Sequence, residues 1–173
     1  MTDPAPIHTW ADALEACLEA HAIARINRVA VLAETASTQD AARRMAANQP
    51  GLLVITAHQT TGRGRLGRAW SDHPEHSLAM TLALNARAHE PAHLALATGV
   101  ALAQAGAGLL PADTLGLKWP NDLVERTTGR KLAGILVETA GPLALVGIGV
   151  NVTHTRDQLD SAGLAAATSL ADL

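Results

Sequence analysis

The chain is organised around a loop that reads His58-Gln59-Thr60-Thr61-Gly62-Arg63-Gly64-Arg65-Leu66-Gly67-Arg68-Ala69-Trp70. It follows an apolar run, residues 52–57, whose length and composition are typical of a buried strand. Glycine lets the backbone approach a ligand closely, and arginine forks bind phosphate or carboxylate oxygens two at a time. The stretch therefore predicts an anion-binding loop at the end of a strand. The alternative is a solvated basic turn, whereas a Walker loop does not fit because Gly-x-x-x-x-Gly-Lys-Ser/Thr is absent.

Composition indicates a globular protein of about one domain. The chain has 173 residues, of which 48% are hydrophobic and 17% charged. It lacks Phe and Tyr, so Ala, Leu and Val have to fill the core. No apolar run reaches the ~18 residues of a membrane span, and no secretory signal pattern is seen, so we expect a cytoplasmic protein without a membrane partner. The net charge of −3 argues against a nucleic-acid partner, because DNA binders usually spread Lys and Arg over a whole face.

Periodicity predicts the helices and strands. A helix over residues 9–21 places the lone Cys17 on an apolar stripe, where we expect it to be buried. Pro91 suits the first turn of a helix, and the Ala- and Leu-rich residues 92–107 predict a well-buried one. The other predicted elements are a helix at residues 41–48 and strands at residues 29–34, 52–57, 78–84, 131–138 and 143–152.

A second polar cluster reads Lys118-Trp119-Pro120-Asn121-Asp122. Pro120 favours an extended residue before it and ends the strand, which leaves Asn121 and Asp122 free to face a ligand. The strands at residues 131–138 and 143–152 are joined by a short turn, so they should form an antiparallel hairpin. The paired glycines of the second strand, Gly147 and Gly149, imply that something packs closely against its backbone.

Two shorter motifs each allow two interpretations. Ser37 and Thr38 precede an alanine-rich helix, so they either cap it or present hydroxyl groups to a polar ligand, and one does not exclude the other. His89-Glu90-Pro91-Ala92-His93 matches the zinc-protease pattern His-Glu-x-x-His, which needs one uninterrupted helix. Pro91 inside such a helix would cost about 3 kcal/mol, so a loop that enters a helix at Pro91 is favoured.

Taken together and in order, these motifs resemble those of the biotin protein ligases. The matching set is Gly62-Arg63-Gly64-Arg65-x-Gly67-Arg68, Lys118-Trp119-Pro120-Asn121-Asp122, Lys131-Leu132-Ala133-Gly134-Ile135-Leu136 and Gly147-x-Gly149-x-Asn151, over about residues 29–151. The resemblance implies an α/β (α+β) fold with a mixed, mostly antiparallel sheet flanked by helices, similar to the class II aminoacyl-tRNA synthetase core. We expect the helices to lie on one face of the sheet.

The resemblance also implies a reaction. Biotin would be activated by ATP to biotinyl-5′-AMP, with Mg²⁺ carried on the ATP phosphates rather than in a cage of protein ligands. The acyl group would then pass to a lysine of the biotin carboxyl carrier protein. Because two anions must meet, catalysis would depend on positioning and on cations aimed at the phosphate. The oligomeric state, including a homodimer, is left open.

Site residues follow from the same resemblance. The implied catalytic residues are Lys131, Arg65 and Arg63. The implied biotin-binding residues are Ser37, Thr38, Gln59, Gly62, Arg63, Arg65, Lys131 and Gly134. The implied nucleotide-binding residues are Arg65, Arg68, Trp70, Asn121, Asp122, Lys131 and Asn151.

The chain departs from the family pattern in two respects. Gln39 stands where the family commonly has Asn, which weakens any role for that position. We also expect a single catalytic domain over residues 1–173, without an N-terminal helix-turn-helix domain, and so no DNA binding, and without the small C-terminal β-barrel domain. The alternative function is therefore a module that binds biotin or its adenylate with weak or no transfer, and a nucleic-acid module comes third.

Overall fold

The computed structural model describes residues 7–21, 23, 25–70, 76–88 and 90–173. The helices are α1 (Trp10–Ala20), α2 (Thr38–Ala46), α3 (Pro91–Ala107) and α4 (Arg156–Ser161). The strands are β1 (Arg28–Leu32), β2 (Leu52–Thr56), β3 (Ser77–Asn85), β4 (Leu115–Lys118), β5 (Asp122–Glu125), β6 (Lys131–Ala140) and β7 (Leu143–Asn151). Each predicted strand is confirmed within two or so residues at its ends.

All seven strands form one sheet in the order β1-β2-β3-β7-β6-β5-β4. β1 pairs with β2 in parallel, and every other neighbouring pair is antiparallel. The mixed, mostly antiparallel sheet is therefore confirmed, as is the β6–β7 hairpin, whose turn contains Gly141 with φ +58°. β7 is the middle strand, so it has two long neighbours and forms the centre of the core.

The helices lie on both faces of the sheet, so the expectation of one face was wrong. Leu143 and Leu145 of β7 pack with Ala42 of α2. The alternate residues Ala144 and Val146 pack with Leu94 of α3. Because side chains alternate along a strand, these two clusters lie on opposite faces. β7 is apolar at both parities, and this is the signature of a strand that is covered on both sides.

Helix α3 is less buried than its composition predicts. It begins at Pro91 as expected, with Glu90 before it, while His89 lies outside the described residues. Its fully buried residues are Leu94 and two glycines, whereas Val100 is 45% exposed, so the prediction of a well-buried helix was wrong. A Cβ on Gly106 would lie 2.4 Å from Leu115 Cδ1, which shows how closely α3 approaches β4.

Helix α1 covers the parallel edge of the sheet loosely. None of its residues is fully buried, and Cys17 is exposed, so the prediction of a buried cysteine was wrong. The Thr9 side chain at its start makes no capping hydrogen bond. Across the described part of the chain, no helix has both the length and the apolar character that crossing a bilayer requires.

Candidate active site

A cleft opens on the α2 face of the sheet, above β6 and β7. The start of α2 forms one side, and the glycine–arginine loop, residues 62–70, covers another. The volume between its walls is about 480 Å³, which includes the solvent at its open mouth. Its lining includes Ser37, Thr38, Gln39, Gln59, Arg63, Arg65, Trp70, Asn121, Lys131, Gly134, Gly147 and Gly149. Most of the residues predicted from sequence therefore meet in one place.

Three glycines leave the floor of the cleft bare of side chains. Gly134 and Gly149 are register partners across β6 and β7. A Cβ on Gly149 would lie 2.5 Å from the Trp70 ring, and one on Gly134 would lie 3.1 Å from it. A Cβ on Gly147 would lie 2.6 Å from Gln39 Nε2. The predicted close packing against this strand is confirmed, and Trp70 and Gln39 are what packs there.

Buried hydroxyl groups surround Gln59 at the inner end of the cleft. Its Oε1 accepts hydrogen bonds from the Thr38 amide N at 2.8 Å and from Thr38 Oγ1 at 3.0 Å. Thr81 Oγ1 in turn donates to Thr38 Oγ1 at 2.9 Å. Ser37 is buried at the N-cap position of α2, but its side chain makes no capping hydrogen bond. Simple capping therefore does not account for this group, which forms a fixed polar surface inside the cleft.

Gln39 is a cleft residue that the sequence analysis set aside. It is only 4% exposed, and its Nε2 donates to the Leu136 carbonyl at 2.7 Å. Its Oε1 is buried without a hydrogen-bond partner among the described residues. A buried acceptor without a donor is costly, so this oxygen is suited to a ligand N–H group. Its position directly after Ser37 and Thr38 in the chain is the feature of the sequence that could have indicated a role in binding.

Lys131 opens β6 and places its amine in the cleft. Nζ lies 2.8 Å from Asp122 Oδ1 on β5 and 5.6 Å from the centre of the Trp70 ring. The lysine is thus neutralised by a carboxylate and sits over an aromatic face. An anionic ligand that enters the cleft can contact the Lys131 amine beside Asp122 or in its place. The positive charge of Lys131 is therefore available to a ligand.

Arg65 reaches the same cleft from the opposite side. Its Nη1 donates to Asn121 Oδ1 at 3.1 Å, and Asn121 is held by a hydrogen bond from its Nδ2 to the Ile135 carbonyl at 2.8 Å. The tip of the loop is a short 3-10 turn at Arg65–Gly67, and Leu66 within it is 89% exposed. Among the described residues, the Arg65 side chain has one hydrogen-bond partner and lies on an exposed turn, which leaves its guanidinium able to move onto a ligand.

Arg63 is bound differently from Arg65. Its guanidinium donates to both oxygens of Asp40, at 2.6 and 2.9 Å, and also lies 3.7 Å from Glu138 Oε2. The hydrogen bond from Arg63 holds the pKa of Asp40 below its usual range, although burial opposes the effect. The same bond raises the pKa of Arg63. The catalytic and biotin-binding roles of Arg63 stay predictions, and in this structure its charge is already balanced.

Four predicted residues do not line the cleft: Gly62, Arg68, Asn151, and Asp122, which reaches it through its contact with Lys131. Gly62 is the buried first residue of the loop, and its carbonyl accepts a hydrogen bond from the Trp70 amide at 2.9 Å. Arg68 is exposed on the loop and does not line the cleft. Asn151 Nδ2 donates to the Thr168 carbonyl at 2.9 Å and to the Lys131 carbonyl at 3.4 Å, so its side chain fixes backbone. The structure does not bring Arg68 or Asn151 into the cleft, and their nucleotide-binding roles stay predictions.

The order of these elements and their glycines agrees with one protein family. The sequence profile of the biotin/lipoate A/B protein ligases matches residues 30–153. The chain belongs to this family. A biotin–[acetyl-CoA-carboxylase] ligase from Mycobacterium tuberculosis is 40% identical over 152 residues, which are 83% of this chain and 54% of that protein. The chain thus spans about half the length of this curated relative.

Solved structures of biotin protein ligases share the fold. The Leishmania major ligase in complex with biotinyl-5-AMP has a TM-score of 0.65 at 28% identity, over 84% of this chain and 63% of that one. The Aquifex aeolicus ligase in complex with biotin and ATP has a TM-score of 0.57 at 30% identity, over 75% and 53% of the two chains. The predicted fold class is confirmed by these likenesses.

Proposed function

We propose that this chain is the catalytic part of a biotin–[acetyl-CoA-carboxylase] ligase, which activates biotin with ATP and transfers it to a carrier lysine. The observation that carries the proposal is the meeting of Arg65 and Lys131 in one cleft that ends in a buried polar group. The names of the M. tuberculosis relative and of the two structural neighbours support it. That the chain binds no DNA stays a prediction.

The inner end of the cleft suits the ureido group of biotin. A ureido group has one carbonyl acceptor and two N–H donors, so it needs partners of both kinds. Ser37 offers a buried hydroxyl, and Gln39 offers the unpartnered oxygen Oε1. Thr38 and Gln59 keep these groups in place through their mutual hydrogen bonds. The valeryl chain would then lie over Gly134, towards Lys131.

At the outer end, the carboxylate of biotin would attack the α-phosphorus of ATP. A bond forms between a carboxylate oxygen and phosphorus, the bond to the bridging oxygen breaks, and pyrophosphate leaves. Lys131 would bind the carboxylate and α-phosphate oxygens, and Arg65 would fold over them. Lys131 is already held in the cleft by Asp122, and Arg65 would add a second cation as the loop closes, so that both are aimed at the charge that develops in the transition state. In the second step the carrier lysine attacks the acyl carbon, and AMP leaves.

The nucleotide would occupy the side of the cleft nearest β5 and the loop. Arg68 would meet the phosphates as the loop closes, and Trp70 and Asn121 would border the adenylate. Asn151 would act through the backbone, since its amide holds the Lys131 carbonyl. Mg²⁺ bound to ATP phosphates needs only one or two protein carboxylates. Asp122 would supply one of them, because its carboxylate lies 2.8 Å from the Lys131 amine that would bind the α-phosphate, and the metal would further neutralise the phosphates.

The test is pyrophosphate release by the purified chain with biotin and MgATP, with and without a biotin carrier domain. We expect biotin-dependent release in both, and biotinylated carrier in the second, identified by mass spectrometry. Adenylate formation without transfer would establish the first step and reassign the chain to a module that makes or holds the adenylate. If neither pyrophosphate nor biotinyl-AMP appears, the proposed function is wrong.

A further inference from the structure

We infer that Asp40 is a positioning residue that fixes the root of the glycine–arginine loop, residues 62–64, through Arg63. The inference rests on the proposed function for its effect on biotin. Asp40 itself does not line the cleft, but it directly follows Thr38 and Gln39, which do. The contact between Asp40 and Arg63 therefore joins the inner wall of the cleft to the beginning of its cover.

The geometry of this contact is that of a fork. Arg63 Nη1 lies 2.6 Å from Asp40 Oδ2, and Nη2 lies 2.9 Å from Oδ1. A two-point contact fixes direction as well as distance, which a single ion pair does not. Arg43 adds to the group, with one guanidinium nitrogen 3.6 Å from Asp40 and the other 3.2 Å from Glu138. Two arginines and two carboxylates thus connect α2, β6 and the loop with no net charge.

The root and the tip of the loop differ in how firmly they are held. At the root, the Gly64 amide donates to the Arg68 carbonyl at 2.7 Å, and the Trp70 amide donates to the Gly62 carbonyl at 2.9 Å. At the tip, Leu66 has a left-handed φ of +58° and is almost fully exposed. Arg63 belongs to the root and Arg65 to the tip. The fork at Asp40 therefore holds the root of the loop, while the tip is able to close over a ligand.

Arg63 and Arg65 therefore have different roles. The charge of Arg63 is balanced by Asp40 and Glu138, so it adds little attraction for a phosphate. Arg63 instead positions the backbone of the loop. Its neighbour Gly62 lies against the Gln59 side chain, and a Cβ added to Gly62 would lie 3.0 Å from Gln59 Nε2. Loss of the fork should therefore weaken biotin binding more than it slows the chemical step.

The first experiment measures the contact without using activity. Trypsin has to capture the Arg63 side chain to cut after it, and the two-point contact with Asp40 holds that side chain, whereas Arg65 makes a one-point contact with Asn121. In Asp40→Asn we expect initial cutting after Arg63 to rise about fivefold relative to cutting after Arg65, as mapped by mass spectrometry. Cutting of the unfolded chain would also raise this ratio, so digestion is kept to initial rates at a temperature where circular dichroism shows each variant to be folded. Asp113→Asn, which removes a surface ion pair with Arg126, is the control and should leave the ratio unchanged.

The second experiment is a double-mutant cycle of Asp40→Asn and Arg63→Gln. We expect each single variant to raise the Kd for biotin about tenfold, with a smaller loss of kcat for adenylate formation, and the double variant to be no worse than either. Asp40→Glu should recover part of the affinity. The inference is overturned if the cutting ratio does not change, or if Arg63→Gln lowers kcat more than about tenfold while Asp40→Asn is neutral. Wild-type protein that binds no biotin would refute the proposed function, whereas the cutting ratio would still decide whether the fork holds the loop.

Discussion

Among single residues, Lys131 has the most direct predicted role in the reaction. Its amine lies 2.8 Å from Asp122, so its charge is balanced by a carboxylate. We expect Lys131→Ala to lower the rate of adenylate formation about 100-fold or more, because the charge matters most as the phosphate reacts. The Kd for biotin should change only about threefold. Single-turnover formation of biotinyl-AMP and calorimetry measure the two effects.

A matched control for this substitution is Arg126→Ala, which removes a cation on the turn between β5 and β6 that does not line the cleft. It should leave both quantities unchanged. Equal losses of binding and of rate in Lys131→Ala would contradict a role that is specific to the transition state.

Gly149 offers a second prediction at this scale, because it receives the Trp70 ring. A Cβ at this position would lie 2.5 Å from the ring, so Gly149→Ala should push Trp70 away from the sheet. We expect a shift in tryptophan emission and a loss of biotin affinity of about tenfold. Gly108→Ala is the control, since its Cβ would meet only the Ala105 carbonyl at an ordinary 3.5 Å. Unchanged emission in Gly149→Ala would show that Trp70 does not rest there.

Sequence reasoning reached most of these residues but not their pairings. Lys131, Arg65 and Trp70 could be predicted because each stands in a motif with unusual neighbours. Gln39 could not, because its value lies in an oxygen left without a donor by the fold. Cys17 was misjudged for a similar reason: a stripe of apolar residues shows which side of a helix faces the core, but not how deeply the helix sinks into it.

At the scale of elements, the glycine–arginine loop has the clearest functional expectation. Arg65 at its tip donates a hydrogen bond to Asn121, and it can exchange that partner for the adenylate. We expect Arg65→Ser to release biotinyl-AMP about tenfold faster, or more, because a lid without its cation no longer retains the intermediate. Dissociation is measured by chasing labelled adenylate with unlabelled biotinyl-AMP.

The neighbouring variant Leu66→Asn is the control for the loop. It changes an exposed side chain with φ +58°, a conformation that Asn tolerates, without removing a charge. Its adenylate should stay bound as long as in the wild type. Equal release from wild type and Arg65→Ser would argue against the loop as a lid.

The sequence predicted where helices and strands begin and end more readily than which face of the sheet each helix covers. β3 was predictable because its leucines and Met80 alternate with small residues, and α3 because Pro91 opens it. The faces of the helices could not be assigned, since β7 is apolar at every position from Leu143 to Val146. Such a strand accepts a helix on either side, and only the complete sheet order decides which helix goes where.

For the molecule as a whole, the core depends on aliphatic side chains packed on both faces of β7. Leu145 is fully buried beneath α2. We expect Leu145→Ala to lower the free energy of unfolding by about 2–5 kcal/mol, measured by urea denaturation. Leu109→Ala, at an exposed position after α3, should change it by less than about 0.5 kcal/mol. Similar small losses in both variants would mean that the core is not centred on this strand.

The facing glycines of β6 and β7 limit how this cleft can be remodelled. Glycine is already the smallest residue, so no substitution at Gly134 or Gly149 can deepen the pocket, and every other residue would make it shallower. Room for a bulkier biotin analogue has to come from trimming the two side chains that rest on that bare peptide surface, Trp70 and Gln39. Variant libraries aimed at altered substrates should therefore vary Trp70 and Gln39 and keep Gly134 and Gly149 unchanged.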